Sequence, residues 1–296
     1  MPIIESQVRR DSETFARRRK AMLALIAHIE RLEQQVHRCS ARAKPQFDKR
    51  GQLLPRERLA QLLDPGASFV ELSTLAGYAQ HDDDGKDEVY GAGIITGIGY
   101  VSGTRCMVYV NDAAIKGGTN MPQAYDKLKR SQEIALRARL PFVSLVQSGG
   151  GNLFKQHLGF NRAGHRFMTQ ARSSAAGIPQ ITVVHGNSTA GGAYIPGMSD
   201  YVVMVRGKAR AFLAGPPLLK AATGEIATDE ELGGAEMHTS ISGVAEYLAE
   251  DDADGLRIAR DVLARLPWNH KVPAVPLRAW KPPRYAADDI AGLVPP

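Results

Sequence analysis

The chain has 296 residues, of which 44% are hydrophobic, enough to bury the core of one large α/β domain or two small ones. No stretch approaches the roughly 18 to 20 uninterrupted apolar residues that a membrane-spanning helix needs, so we expect no membrane-embedded part. The net charge of +6 permits a nucleic-acid partner, but aromatic residues make up only 6% and are not interleaved with the basic ones. We expect no nucleic-acid partner. A phosphorylated small ligand or a solvated basic helix face accounts for the charge as well.

The two cysteines, Cys39 and Cys106, are far apart and lack metal-ligand spacing. This usage predicts unpaired, buried thiols in a reducing compartment, no metal site and a cytoplasmic location. The basic N-terminus contains acidic residues and is not followed by an apolar signal core. We therefore expect no signal or transit peptide.

The first third of the chain predicts helices. Apolar residues at three-to-four-residue spacing over 12–44 predict a long amphipathic helix that Pro45 ends, and a shorter helical piece follows within 51–63. Together they make residues 1–66 an N-terminal helical segment. The charged run 81–88 lacks calcium-loop spacing and predicts a surface loop.

The middle of the chain alternates strands and helices. We predict paired strands at 91–99 and 104–111, strands at 140–146 and 178–184, and helices over 116–139 and 162–176. This alternation of strands and helices predicts right-handed βαβ crossovers and a mostly parallel sheet. The glycines of 91–99 do not form a dinucleotide fingerprint, because their spacing is wrong and no helix follows.

The pattern repeats towards the C-terminus. We predict strands at 201–205 and 211–213, a helix with proline in its first turn within 215–225, a capping box at 228–231 and a last helix over 254–266. Residues 67–268 would form the main domain. The proline-rich residues 269–296 are typical of a linker, and we expect a further domain after them and hence a truncated chain.

Two glycine-rich turns, 147–151 and 189–193, directly follow the buried strands 140–146 and 178–184. Glycines at the start of a helix leave backbone N–H groups open, and the helix dipole attracts negative charge there. The pair of turns predicts an oxyanion hole. The alternative is that the glycines only permit tight strand-to-helix connections.

Other chemistry is scarce. No nucleophile elbow, zinc-protease motif or phosphate loop is present. Ser148 has no accompanying His and Asp arrangement, and His185 is better explained as a structural histidine than as a catalytic one. The backbone amides of the glycine-rich turns are therefore the main candidate catalytic groups, and they would stabilise the enolate of a thioester.

The chain resembles the N-terminal half of the carboxyltransferase (β) subunit of biotin-dependent acyl-CoA carboxylases. The resemblance lies in residues 49–59 (KRGQLLPRERL), 111–119 (NDAAIKGGT), 147–151 (QSGGG), 189–194 (TAGGAY), 212–225 (FLAGPPLLKAATGE) and 231–235 (ELGGA). Residues 111–119 and the LAGPP run at 213–217 are similar to the methylcrotonyl-CoA and geranyl-CoA carboxylase branch.

The resemblance implies a ligase-class enzyme with a crotonase-type fold, an α/β spiral with a mostly parallel sheet and an N-terminal helical extension. It implies coenzyme A as part of the substrate and biotin carried covalently on a separate α subunit. It also implies a homo-oligomer of β subunits. The amides that hold the enolate would belong to Ala190, Gly191 and Gly192. The implied substrate-binding residues are Ser148, Gly149, Gly150, Lys116, Gly117, Gly118, Ala163 and Tyr194.

Two departures from this family affect the expected activity. Its β subunits are about twice as long, and Gln147 with a short connection at 153–161 replaces an aspartate and a longer insert. Ala163 stands where methylcrotonyl-type relatives carry phenylalanine, so we expect a longer, geranyl-like branched enoyl group. The alternatives are a stand-alone crotonase-type hydratase or hydrolase and a non-catalytic acyl-CoA-binding or scaffold module.

Overall fold

The computed structural model describes residues 7–80, 89–268, 279, 281–283 and 285–295. The chain divides into two compact units, one formed by residues 1–35 with 272–296 and the other by residues 36–271. The predicted surface loop at 81–88 and residues 269–278 of the proline-rich segment lie outside the described residues. The domain boundaries expected from the sequence stay a prediction.

The α-helices and β-strands of the described residues alternate in the second half of the chain. The helices are α1 (Glu13–Ala41), α2 (Lys44–Lys49), α3 (Pro55–Leu62), α4 (Pro122–Ala138), α5 (Gln156–Ala175), α6 (Tyr194–Gly197), α7 (Pro216–Thr223), α8 (Asp229–Gly233), α9 (Ala235–Met237) and α10 (Asp252–Arg265). The strands are β1 (Val70–Glu71), β2 (Ile94–Val101), β3 (Thr104–Asn111), β4 (Phe142–Ser148), β5 (Gln180–Thr189), β6 (Tyr201–Val205), β7 (Arg210–Phe212) and β8 (Tyr247–Ala249).

The described strands form one sheet in the order β1-β2-β3-β4-β5-β6-β8, with β7 paired to β5. The first three strands pair antiparallel, and all other pairs are parallel. Leu145, Val183 and Val203 lie in register across β4, β5 and β6 and are buried. These strands are apolar on both faces because helices cover both, which confirms the predicted parallel α/β sheet.

Each face of the sheet carries its own core. On one face Leu59 of α3 and Leu256 of α10 pack among the valines of β3 to β6. On the other face Ala124 and Leu128 of α4 pack against Met107 of β3. The thiols of Cys39 and Cys106 are buried and form no disulfide within the described residues.

The parallel topology brings both glycine turns to one edge of the sheet. Strand β4 ends at Ser148, strand β5 ends at Thr189, and Ser148 lies beside Ser188 in the register. Because parallel strands present their carboxyl ends at the same edge, the two turns that follow are neighbours.

Several predicted element boundaries are wrong. The predicted helix at Lys116 begins only at Pro122, because Lys116, Gly117 and Gly118 all have left-handed backbone angles of +47° to +75° that a right-handed helix cannot contain. Pro45 does not end the first helix. It lies in the first turn of α2, where its missing N–H costs nothing.

The helix predicted over 162–176 begins earlier, at Gln156, because the Asn152 side chain caps the turn that precedes it. The helical piece expected within 51–63 is confined to α3. In α1, Ile26 and Ile29 of the predicted apolar stripe are more than 40% exposed. The capping box is confirmed: the Thr228 hydroxyl accepts from the Glu231 N–H, and the Glu231 carboxylate accepts from the Thr228 N–H.

None of the helices in the described part of the chain has the length and apolar content needed to cross a bilayer. Within the same residues, no three His, Cys, Asp or Glu side chains are grouped as a metal site requires.

Candidate active site

The turn after β5 presents open backbone donors. Residues Ala190–Gly192 form a short 3-10 turn that leads into α6. The N–H groups of Gly191 and Gly192 donate no hydrogen bond to any described residue. Unpaired N–H groups at the start of a helical turn form a ready site for a negatively charged oxygen.

The glycines of this turn are not required by backbone geometry. The left-handed backbone angle falls on Ala190, with φ of +52°, and neither Gly191 nor Gly192 has a positive φ. A Cβ on Gly191 would approach only Phe167, at 3.8 Å, and one on Gly192 only Ser188, at 3.5 Å. The alternative that these glycines serve a tight connection is therefore not supported. Their effect is to leave the N–H groups uncovered.

The turn after β4 is held by Ser148, which is buried. The Ser148 hydroxyl donates to the Gly118 carbonyl at 2.7 Å and accepts from the Gly150 N–H at 3.1 Å. Gly150 has φ of +95°, a conformation in which glycine is favoured. The Ser148 hydroxyl is thus engaged in holding the turn, which agrees with the view that it is not a nucleophile.

An apolar cavity of about 440 Å³ opens between α5 and the two turns. Three of its lining residues from α5 are small, namely Gly159, Ala163 and Gly164. The other lining residues are Asn120, Pro122, Tyr125, Gly150, Gly151, Asn152, Leu153, Lys155, Gln156, Arg166, Phe167, Ala190, Gly191 and Gly192. Among these described residues there is no Asp, Glu or His that could transfer a proton.

A second cavity, also about 440 Å³, lies on the other side of the turn after β4 and is polar. Three cationic side chains, Arg50, Lys208 and Arg210, line it. The remaining lining residues are Gln52, Ala113, Gly117, Gln147, Ser148, Gly149, Gly186, Asn187 and Gly207. Gly149 faces this cavity and Gly150 the apolar one, so the turn separates the two.

The predicted site residues divide between the two cavities. Gly150, Ala163 and the turn Ala190–Gly192 line the apolar one, whereas Gly117, Ser148 and Gly149 line the polar one. Tyr194 lines neither cavity, and its ring lies 4.9 Å from that of Phe167, which lines the apolar one. Neither Lys116 nor Gly118 lines either cavity. Gly118 instead packs directly against the backbone of Gln147, where a side chain would clash.

A buried network that sequence reasoning missed supports the polar cavity. Arg58 donates from Nη1 to Oε1 of Gln147 at 2.6 Å and pairs with Asp252 at 2.8 Å. Asp252 also accepts a 2.8 Å hydrogen bond from Nδ1 of His185. Arg58 lies in the family-like block 49–59, but nothing in that block alone indicates that its side chain reaches β4.

The charges of this network shift the pKa values of its members. Burial, together with the neighbouring Arg58 charge, lowers the pKa of His185 to about 4. Burial would raise the pKa of Asp252, but the hydrogen bond from His185 and the charge of Arg58 outweigh it and lower that pKa to about 2. His185 is therefore a neutral donor to a carboxylate. Its complete burial fits the structural interpretation made from the sequence.

The model of the carboxyl transferase domain family matches residues 46–296 of the chain. The probable biotin-dependent acyl-coenzyme A carboxylase beta2 subunit of Mycobacterium tuberculosis is 50% identical over 248 residues, which are 83% of this chain and 45% of that protein. The methylcrotonoyl-CoA carboxylase beta chain of Dictyostelium discoideum is 47% identical over 83% of this chain and 42% of its own length. The chain thus spans about half the length of the curated relatives it matches.

Solved structures agree with this assignment. The β subunit of P. aeruginosa geranyl-CoA carboxylase superposes with a TM-score of 0.90 at 55% identity, covering 99% of this chain and 54% of that one. The transcarboxylase 12S hexamer with bound methylmalonyl-coenzyme A gives a TM-score of 0.73 at 31% identity over 81% of this chain and 48% of that one. The fold is therefore of the expected crotonase type, and the chain belongs to the carboxyl transferase domain family.

Proposed function

We propose that the chain is the acyl-CoA-binding half of a carboxyltransferase, acting on a branched enoyl thioester of coenzyme A. The observation that carries this proposal is the pair of unpaired N–H groups of Gly191 and Gly192 at the end of an apolar cavity. An acyl chain fills such a cavity while its thioester oxygen lies at the open amides. The membership of the carboxyl transferase family supports the same reaction class.

The chemical role of the turn is to stabilise charge on the thioester oxygen. When a proton leaves the acyl group, the enolate places negative charge on that oxygen, and the amides of Ala190, Gly191 and Gly192 point donors at it. Each such donor contributes roughly 3 kcal/mol when water is excluded. No Asp, Glu or His among the described residues lines the cavity, and we propose that the base comes from outside this site.

The length of the acyl group is set by α5. Ala163 leaves space where a phenylalanine would fill it, and each methylene buried there contributes about 0.8 kcal/mol. We propose a geranyl-like branched enoyl group, with 3-methylcrotonyl as the shorter alternative. The relative with a TM-score of 0.90 carries geranyl-CoA in its name. A role in branched-chain catabolism follows from this substrate class.

The phosphates of coenzyme A have a complementary surface in the polar cavity. Arg50, Lys208 and Arg210 line it, and it adjoins the acyl cavity at Gly149 and Gly150. We therefore assign the phosphate contacts to this cavity rather than to Lys116, which lines neither cavity. A CoA ester that extends across this turn would place its acyl group in the apolar cavity and its phosphates beside the cationic side chains of the polar one.

Biotin supplies the transferred carboxyl group in this family, and we propose that a separate α subunit carries it. The described residues offer one pair of adjacent open amides at the apolar cavity, and the thioester uses them. The neighbouring Gly150 N–H already donates to Ser148 at 3.1 Å. These residues do not form a second site for biotin, so we derive no step through it. Association with other β subunits is part of the proposal, as is a cytoplasmic location, which the buried thiols without a disulfide support.

The two alternatives differ in what the cavity must contain. A hydratase or hydrolase needs a proton-transfer side chain beside the thioester, and the described lining residues include no Asp, Glu or His. A non-catalytic acyl-CoA-binding module needs only the cavities. It is the second candidate because the chain spans about half the length of its relatives.

Titration calorimetry of the chain with 3-methylcrotonyl-CoA, geranyl-CoA and free biotin tests the proposal. We expect both CoA esters to bind and biotin not to bind. Gly191→Val should weaken the binding of both esters, whereas the exposed substitution Arg162→Met should not. Binding of biotin as strong as that of the esters, or no binding of either ester, would refute the proposed function.

A further inference from the structure

Helix α5 carries a buried cation whose charge no described residue neutralises. Arg166 is 8% exposed and lines the apolar cavity. It forms no ion pair with any described carboxylate, and its Nη2 atom has no hydrogen-bond acceptor among them. By contrast Arg58, the other buried arginine of the site region, pairs with Asp252 at 2.8 Å.

A buried guanidinium without an anionic partner is unfavourable, because it loses its hydration free energy and neutral neighbours compensate for little of that loss. Burial lowers the pKa of Arg166, yet an arginine side chain stays protonated in proteins. Such an arrangement is typical of a residue that receives its countercharge from a ligand.

Two tyrosines near Arg166 extend its hydrogen-bonding capacity. The Tyr109 hydroxyl accepts from the Asn111 side-chain amide at 2.8 Å, which leaves its own proton to donate. Tyr125 lines the apolar cavity beside Arg166, and its hydroxyl makes no hydrogen bond to a residue the structure describes. A guanidinium with phenolic donors is a combination that binds carboxylates.

A water molecule alone does not complete this site. Arg166 and Gln132 also line a small cavity of about 10 Å³, the volume of one water molecule, and Oε1 of Gln132 is buried without a donor. A bridging water would satisfy both polar groups but bring no negative charge. The ligand that balances Arg166 must therefore be an anion that enters through the apolar cavity.

We propose that Arg166, assisted by Tyr125, binds a carboxylate carried by the acyl group, so that the cavity recognises a carboxyacyl thioester as well as an uncharged one. This inference rests on the proposed function, in which a carboxyl group is added to the bound acyl group. The site would then hold the carboxylated product more tightly than the substrate. It would also favour the reverse transfer from a carboxyacyl-CoA.

Butyryl-CoA and glutaryl-CoA test the proposal, because they differ only by a carboxylate at the γ-carbon of the acyl chain. Calorimetry should show glutaryl-CoA binding about tenfold more tightly to the unmodified chain, the size expected of a charge-assisted hydrogen bond. Arg166→Met should abolish that preference, and Tyr125→Phe should reduce it. Arg162→Met, which removes an exposed arginine one turn away that pairs with Asp126, should leave it unchanged.

The outcomes separate the two proposals. Equal affinity for the two esters, or an unchanged preference in Arg166→Met, overturns the carboxylate site while the proposed function stands. Failure of both esters to bind overturns this inference, and the proposed function falls with it only if 3-methylcrotonyl-CoA and geranyl-CoA also fail to bind. Should Arg166→Met not fold, Tyr125→Phe decides: an unchanged preference in that variant overturns the proposal.

Discussion

Nη1 of Arg58 donates a 2.6 Å hydrogen bond to Oε1 of Gln147, the last residue but one of β4 before the glycine turn. The same guanidinium pairs with Asp252 at the start of α10, and Asp252 in turn accepts from the backbone N–H of Leu53 at 2.8 Å. The buried side chain of Arg58 therefore connects Gln147 to α3 and α10, two helices that pack on the same face of the sheet.

Replacement of Arg58 by methionine should destabilise the fold strongly. The substitution leaves the Asp252 carboxylate buried without its cation, and breaking a buried pair costs about 3–5 kcal/mol. Urea unfolding measures the loss. Arg257→Met is the matched control, because its ion pairs with Asp254 and Asp261 are exposed to solvent and should contribute little to stability. Equal effects of the two substitutions would show that the buried network does not hold the turn.

Stability should fall as the pH drops below about 6.5, the ordinary pKa of histidine. The folded-state pKa of His185 is lowered to about 4, so between these values the unfolded chain binds a proton that the folded chain does not. The free energy of unfolding should decrease by about 1.4 kcal/mol for each pH unit in this window. Protonation of Asp252 continues the loss towards pH 2.

Urea titrations from pH 7 to pH 4 measure this slope. His185→Gln keeps a donor to Asp252 but removes the titrating group, so its slope in this window should be shallower. His157→Gln, at an exposed position, should retain the full slope. The same slope in all three proteins would show that His185 is not buried as a neutral group.

Replacement of Ser148 by alanine should affect stability more than chemistry. The substitution removes the 2.7 Å bond to the Gly118 carbonyl and the 3.1 Å bond from the Gly150 N–H, which should cost about 1–3 kcal/mol. Thermal unfolding and the turnover of the complete enzyme measure the two effects. A folded variant of normal stability without turnover would indicate a chemical role for the hydroxyl.

Ala163→Phe should change the preferred acyl length. A ring at this position fills the apolar cavity, so kcat/KM for geranyl-CoA should fall while that for 3-methylcrotonyl-CoA is retained. The assay uses the full-length β subunit with its biotinylated partner. Ala171→Phe places the same ring at an exposed position of α5 and should change neither value. If the unmodified enzyme prefers the short ester, or if Ala163→Phe leaves the ratio of the two kcat/KM values unchanged, the side chain at position 163 does not set the acyl length.

Much of the architecture could be predicted from local patterns. The apolar runs at 140–146 and 178–184 predicted β4 and β5, and the capping box at Thr228 predicted the start of α8. Such features depend on neighbours in the sequence. The helix predicted from Lys116 failed because residues 116–118 have left-handed backbone angles. Gly118 packs against the backbone of Gln147, a contact that no local pattern encodes.

Only the part of the candidate active site that lies within a single turn could be predicted from the sequence. The motif at 189–194 predicted the open amides, but the backbone angle that shapes the turn falls on Ala190 rather than on a glycine. Arg58, Asp252 and Arg166 were missed because their roles arise from contacts between distant segments. Arg58 and Asp252 are 194 positions apart in the sequence, and only the sheet topology brings them together.

The open amides should be essential to carboxylation. Gly191→Val places a branched side chain over the N–H groups, and losing one donor costs about 100 to 1,000-fold in turnover. Ala190→Gly is the matched control, because it changes the same turn, relieves the strained φ of +52° and adds nothing over the amides. We expect the control to keep its activity and its melting temperature. Near-normal turnover of folded Gly191→Val would show that these amides do not act on the substrate.

The carbonyl ¹³C resonance of an enoyl-CoA labelled at the thioester carbon reports directly on whether the thioester oxygen lies at the open amides. Donation from the N–H groups of Gly191 and Gly192 polarises the carbonyl, so binding should move its resonance downfield in the unmodified chain and in Ala190→Gly. Gly191→Val, at ester concentrations that saturate it, should show a clearly smaller shift. An equal shift in all three proteins, or no shift on binding to the unmodified chain, would contradict the placement of the thioester at this turn.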